Sequence, residues 1–79
     1  MNELAEDFVL GLGGAENIIE AVPAYTRIRI EVGSIGAVNE DLLRAAGAHG
    51  VVRQKHYIQL IVGPSADELA RAICDLIVA

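Results

Sequence analysis

Residues 26–32 read TRIRIEV, which is the clearest alternation of polar and apolar side chains in this chain. A period of two is typical of a β-strand with one buried face, because successive side chains point to opposite faces of a sheet. The isoleucines and the valine of this segment are therefore expected to face a core. Arg27, Arg29 and Glu31 are expected to point away from it.

Weaker patterns on both sides of this strand predict the other elements. In chain order they are a helix at 3–12, a strand at 17–22 ended by Pro23, a helix at 40–46 with Asn39 as N-cap, strands at 51–53 and 57–62 joined by a turn at 54–56, and a helix at 65–76. The order αββαββα predicts an α+β fold of two layers. We expect a four-stranded antiparallel sheet with the helices on one face, as a single domain over residues 1–79.

The composition excludes several classes of protein. The chain has 79 residues, of which 53% are hydrophobic, and this favours a folded domain over a disordered segment. A lone cysteine, Cys74, can form neither an internal disulfide nor a cysteine zinc site, and it falls on the inner side of the last predicted helix. His49 and His56 have no third ligand in a suitable frame. We expect no metal site, no cofactor, no direct insertion into a membrane and a cytoplasmic location.

The charges are distributed unevenly along the chain. The net charge is −5, yet segments 26–32 and 51–59 hold four basic residues against one acid, a local balance of +3. We therefore expect an open sheet face that is locally positive. It is either a phosphate- or carboxylate-binding surface, which suits the planar fork of arginine, or simply a solvated face that prevents edge pairing. The acidic total and the scarcity of stacking aromatic residues argue against nucleic acid as a partner.

Four fragments of the chain carry a family resemblance. They are GGAENI at 13–18, AYTRIR at 24–29, GAHGV at 47–51 and IQLIVGP at 58–64. In this order and spacing the chain resembles the IIB domains of glucose-type (glucose, N-acetylglucosamine, sucrose) sugar phosphotransferase systems. Each fragment alone is weak evidence, but the collinear set is specific. The αββαββα topology of that family agrees with the order predicted above.

The resemblance implies a function and a site. In that family a cysteine at the end of the first strand accepts a phosphoryl group from a histidine of the IIA protein. It then passes the group to a sugar held by the membrane IIC domain. The position of this catalytic cysteine matches Ala24 here, and Thr26, Arg27, Arg29 and Gln59 match residues that would bind the phosphate. The implied partners are IIA and IIC, and IIC would hold this domain at the inner face of the membrane.

Alanine at position 24 has no lone pair with which to attack phosphorus. Pro23 and Tyr25 also depart from the family, which often has Asp or Asn and usually has Ile or Val at these positions. Two interpretations stay open. The chain is a IIB phosphoryl carrier that cannot form phosphocysteine as written, or it is a degenerate, non-catalytic module that binds IIA or a regulator. The sequence leaves open whether the chain acts as an enzyme, and it does not indicate the sugar.

Overall fold

Three helices pack on one face of a four-stranded sheet in the computed structural model, which describes residues 2–77. The elements in chain order are α1 (Asn2–Gly11), β1 (Ile18–Ala24), β2 (Arg27–Val32), α2 (Glu40–Ala46), β3 (Gly50–Gln54), β4 (Tyr57–Ile61) and α3 (Ala66–Ile77). The expected two-layer α+β fold in the order αββαββα is confirmed. No helix within residues 2–77 has both the length and the hydropathy of a membrane-spanning segment.

The sheet is antiparallel throughout, with the strand order β1-β2-β4-β3. Strand β2, which the alternating segment predicts, lies in the interior of the sheet between β1 and β4. Its helix-facing side chains Ile28 and Ile30 have no solvent-exposed surface. Since burial of one such side chain stabilises a fold by about 1.5–3 kcal/mol, Ile28 and Ile30 contribute substantially to holding the sheet against the helices.

The core is aliphatic apart from one aromatic ring. Its largest fully buried side chains come from both layers: Phe8, Leu12, Ile28, Ile30, Val32, Leu43, Ile58, Leu60, Leu69 and Ile73. The sheet contributes one face of β2 and of β4 to this core. The opposite face of the sheet has no element packed on it among residues 2–77.

Strand β1 ends later than the sequence predicts. It continues through Pro23, which pairs with Ile28, to Ala24, which pairs with Arg27. The prediction that Pro23 ends the strand is wrong because β1 is an edge strand, where a missing backbone N–H is tolerated. The extension places Ala24 inside the sheet, beside the first arginine of β2.

Asn39 and Gly47 delimit helix α2 as predicted. The Asn39 side chain accepts a hydrogen bond of 3.1 Å from the backbone N–H of Leu42. Gly47 follows the last turn with φ of 123°, a conformation that side chains rarely adopt.

Asn17 connects two loops at the end of the sheet remote from Ala24. Its buried amide donates to the carbonyl oxygens of Leu12 (2.7 Å) and Ser34 (3.0 Å) and accepts from the backbone N–H of Ser34 (2.8 Å). Gly13 approaches it so closely that a Cβ atom there would lie 2.7 Å from the Asn17 amide nitrogen. The fragment GGAENI is therefore explained by packing and backbone hydrogen bonding.

Replacing Asn17 by leucine is expected to lower the free energy of unfolding by about 3 kcal/mol, because three backbone groups, one in a buried and two in partly buried hydrogen bonds, lose their partner. Urea denaturation measures this loss. The matched control is Asn39→Ala, which removes one exposed helix cap and should cost about 1 kcal/mol. Equal losses in the two variants would contradict the role assigned to Asn17.

Candidate functional site

The open face of the sheet brings β1 and β2 side chains into adjacent pairs. Ala24 lies directly opposite Arg27, and Val22 lies opposite Arg29. Because directly opposed residues share a face, with Cβ atoms about 5 Å apart, the two arginines flank the end of β1. All four side chains are exposed.

Side chains of β4, the other neighbour of β2, contact both arginines. The Arg27 guanidinium donates through Nη1 to Oε1 of Gln59, at 3.1 Å. The Arg29 guanidinium lies over the ring of Tyr57, with Cζ at 4.2 Å from the ring centroid. A hydrogen bond and a cation–π contact thus restrict two long side chains, whose other N–H groups can bind an anion. Because these side chains are already restricted, they lose less conformational entropy when an anion binds.

The turn between β1 and β2 is fastened to the end of β4. The carbonyl oxygen of Thr26 accepts hydrogen bonds from the backbone N–H groups of Val62 (2.9 Å) and Gly63 (3.1 Å). The turn that carries Tyr25 and Thr26 therefore keeps a fixed position relative to Arg27 and Gln59.

A depression of about 220 Å³ lies on this face. Its lining residues are Glu20, Val22, Ala24, Arg29, Glu31 and Tyr57. Charge changes sign along it. Arg29 lines the depression and Arg27 lies directly opposite Ala24 at one end, whereas the far end carries Glu20 directly opposite Glu31. An anion is therefore favoured at the Ala24 end.

The expectation of a positive open face needs correction. Arg53 pairs with the buried Ile58 and donates to the carbonyl oxygen of Val38 at 2.8 Å, so it lies on the helix side. Lys55 lies in the turn after β3, and Glu20 adds a second acid to the open face. The charge balance of a whole segment does not predict the charge of one sheet face, because the side chains of a strand alternate between the two faces. The positive charge is confined to Arg27 and Arg29, next to Ala24.

The structure brings together the side chains expected at the site. Ala24, Arg27, Arg29 and Gln59 share the open face of three adjacent strands, and Thr26 lies in the turn beside them. Their roles in phosphate binding stay predictions. Tyr57 was missed as a contact of Arg29, and only the pairing of β2 with β4 reveals it.

Cys74 lies on the other side of the sheet. It is half-buried on α3, and its Sγ donates to the carbonyl oxygen of Ala21 at 3.5 Å. Ala21 is one of the helix-facing residues of β1. Cys74 therefore cannot take the place of a thiol at position 24.

No family model matches the chain, but individual proteins do. The "PTS system N-acetylglucosamine-specific EIIB component" of Streptomyces coelicolor is 47% identical over 76 residues, which cover 96% of this chain and 99% of that protein. The "PTS system N-acetylglucosamine-specific EIICBA component" of Escherichia coli is 32% identical over 74 residues, covering 92% of this chain and 11% of that protein.

A solved structure has the same fold. It is one domain of the PTS system IIabc component from Clostridium difficile, with a TM-score of 0.79 over 94% of this chain and 78% of that chain. At 23% identity this likeness supports the architecture alone.

Proposed function

Since this chain belongs to the glucose-type IIB family of the sugar phosphotransferase system, we propose that it has the phosphoryl-binding end of a IIB domain without the phosphoacceptor. The observation that carries the proposal is the pairing of Ala24 with Arg27 at the open end of β1, with Arg29 on the same face. A IIB-type phosphoryl-carrier role is what its relatives support. We propose in addition that the chain has lost the phosphoacceptor at position 24.

The proposed chemistry explains why one side chain decides the outcome. In a IIB carrier a thiolate attacks the phosphorus of a phosphohistidine, so that an S–P bond forms, the N–P bond breaks and the histidine leaves with the electron pair. Arg27 and Arg29 would neutralise and orient the phosphoryl oxygens during this step. A methyl group at position 24 cannot form the new bond, so this chain stops at binding.

Restoring the thiol tests the carrier proposal. The Ala24→Cys variant should accept a phosphoryl group from a phosphorylated IIA protein of the glucose type. The unaltered chain should accept none. Absence of label on the variant would contradict the proposal.

A non-catalytic binding module is the second candidate function. It is favoured by the retention of both arginines and their β4 partners, Gln59 and Tyr57, around a position that has no nucleophile. Such a module would bind the phosphorylated IIA protein, or a regulator of similar chemistry, without turnover. We propose IIA and IIC of an N-acetylglucosamine-type system as its first partners, since the Streptomyces coelicolor relative is specific for that sugar. Through IIC it would work in the cytoplasm at the inner face of the membrane.

Calorimetric titration of the unaltered chain with IIA tests the binding module. We expect the phosphorylated form to bind at least about tenfold more tightly than the unphosphorylated form, because hydrogen bonds between charged groups contribute about 1.5–3 kcal/mol each. Arg27→Ala should abolish this preference. Arg44→Ala is the matched control, since it removes an equal charge from the exposed surface of α2. Equal affinity for both forms of IIA would contradict the proposal.

A further inference from the structure

The β1–β2 turn exposes a large aromatic ring in a strained backbone conformation. Tyr25 is 95% exposed, the highest fraction among the exposed large hydrophobic residues of the described chain. Its φ is 61°, in the left-handed region that residues with a Cβ atom avoid. Glycine is the residue usually found where a tight hairpin turn needs a positive φ at its first position.

The second hairpin of the sheet provides a comparison within the same chain. Its turn lies between Gln54 and Tyr57, and its first residue, Lys55, has φ of 46°. The two turns share their length and the position of the strained residue. Lys55 places a hydrated ammonium group in solvent, which requires no partner. Tyr25 places a ring there, so its exposure is not explained by solubility.

The surroundings of Tyr25 point to a ligand of defined chemistry. It follows Ala24 directly, and Arg27 and Arg29 lie on the same face of the sheet, opposite Ala24 and Val22. Val22 on β1, which is 44% exposed, adds apolar surface near Ala24. Tyrosine and arginine are over-represented among the residues that contribute most to protein–protein affinity. A complementary surface would present an apolar socket next to an anionic group.

Building on the proposed function, we propose that Tyr25 is the docking anchor of this domain and binds an apolar socket beside the phosphohistidine of the IIA protein. The hydrogen bonds from Val62 and Gly63 to Thr26 hold the turn in its strained form. The ring is thereby kept at the tip of the hairpin before the partner arrives. Strained residues at binding sites are retained in this way when the surrounding structure fixes them.

Two glycine variants separate the strain of the turn from docking. Tyr25→Gly and Lys55→Gly should each raise the thermal midpoint by about 3–6 °C, because glycine adopts a positive φ without steric cost. Only Tyr25→Gly should weaken the complex with phosphorylated IIA, by about tenfold or more. Tyr25→Phe, which keeps the ring, should bind within about threefold of the unaltered chain. Differential scanning calorimetry and titration calorimetry measure the two properties.

The outcomes distinguish this inference from the proposed function. If the unaltered chain binds neither form of IIA, both the proposed function and the proposed role of Tyr25 are wrong. If the unaltered chain binds phosphorylated IIA and Tyr25→Gly binds equally well, the anchor alone is overturned. A more stable Tyr25→Gly variant with weaker binding, together with a more stable Lys55→Gly variant whose affinity is unchanged, supports the anchor. Since the weakened variant would be the more stable one, unfolding could not explain its loss of affinity.

Discussion

Replacing Ala24 by cysteine is expected to give a variant that carries a phosphoryl group on nearly every molecule, whereas the unaltered chain is expected to carry none. Position 24 is exposed at the end of β1 and lies directly opposite Arg27. A neighbouring guanidinium lowers the pKa of a thiol and raises the fraction of nucleophilic thiolate near neutral pH. Intact mass spectrometry after incubation with phosphoenolpyruvate, the general phosphotransferase components and a glucose-type IIA measures the outcome.

Three controls make this experiment decisive. Cys74→Ala in the same background removes the native thiol on the helix side, so any phosphocysteine must be at position 24. Ala24→Ser supplies a hydroxyl of similar size that is a poor nucleophile and should take up no label. A cysteine-containing IIB domain must be labelled by the same components. If it is labelled and Ala24→Cys is not, the assignment of position 24 is wrong.

Removing Arg27 from the Ala24→Cys variant is expected to slow phosphorylation by about 10²–10³-fold, the usual effect of losing one group that stabilises transition-state charge. Arg27 is directly opposite the acceptor position, whereas Arg29 is opposite Val22 and lies over Tyr57. We therefore expect Arg29→Ala to slow the reaction less than Arg27→Ala. Arg27→Lys should fall between Arg27→Ala and the parent, because lysine keeps the charge and loses the planar fork. Rapid-quench measurement of single-turnover phosphorylation gives these rates.

Arg44→Ala in the Ala24→Cys background is the control for net charge. It removes one positive charge from α2 and should leave the rate within about threefold of the parent, since exposed charges at a distance are screened by salt. Arg27 is exposed, so its removal should change the free energy of unfolding by no more than about 0.5 kcal/mol. Equal rates for the Arg27 and Arg44 variants would show that Arg27 has no part in transfer.

Much of the fold could be predicted because polar and apolar side chains alternate with a period of two in segment 26–32. The alternation at 26–32 predicts β2 and its buried face, and Asn39 predicts the start of α2. The end of β1 could not be predicted, because whether a proline ends a strand depends on its place in the sheet. Pro23 lies on an edge strand, a fact fixed by the pairing of distant segments.

The candidate site was less accessible from the sequence. Resemblance to a family brought Ala24, Thr26, Arg27, Arg29 and Gln59 together, since no local pattern relates position 59 to position 27. The contacts that restrict the arginines depend on the register of β2 against β4. The positive φ of Tyr25 arises from closing a two-residue turn and leaves no mark in residue types, because neither residue of that turn is glycine.

The proposed function requires that the open sheet end beside Ala24 binds the phosphoryl group of IIA without accepting it covalently. Amide NMR spectra of the unaltered, isotope-labelled chain, recorded during titration with phosphorylated IIA, test this binding. We predict shifts confined to residues 24–29 and 57–59, with α1, α2 and α3 unperturbed and no covalent transfer. Shifts centred on the helices, or none at saturating IIA, would contradict the claim.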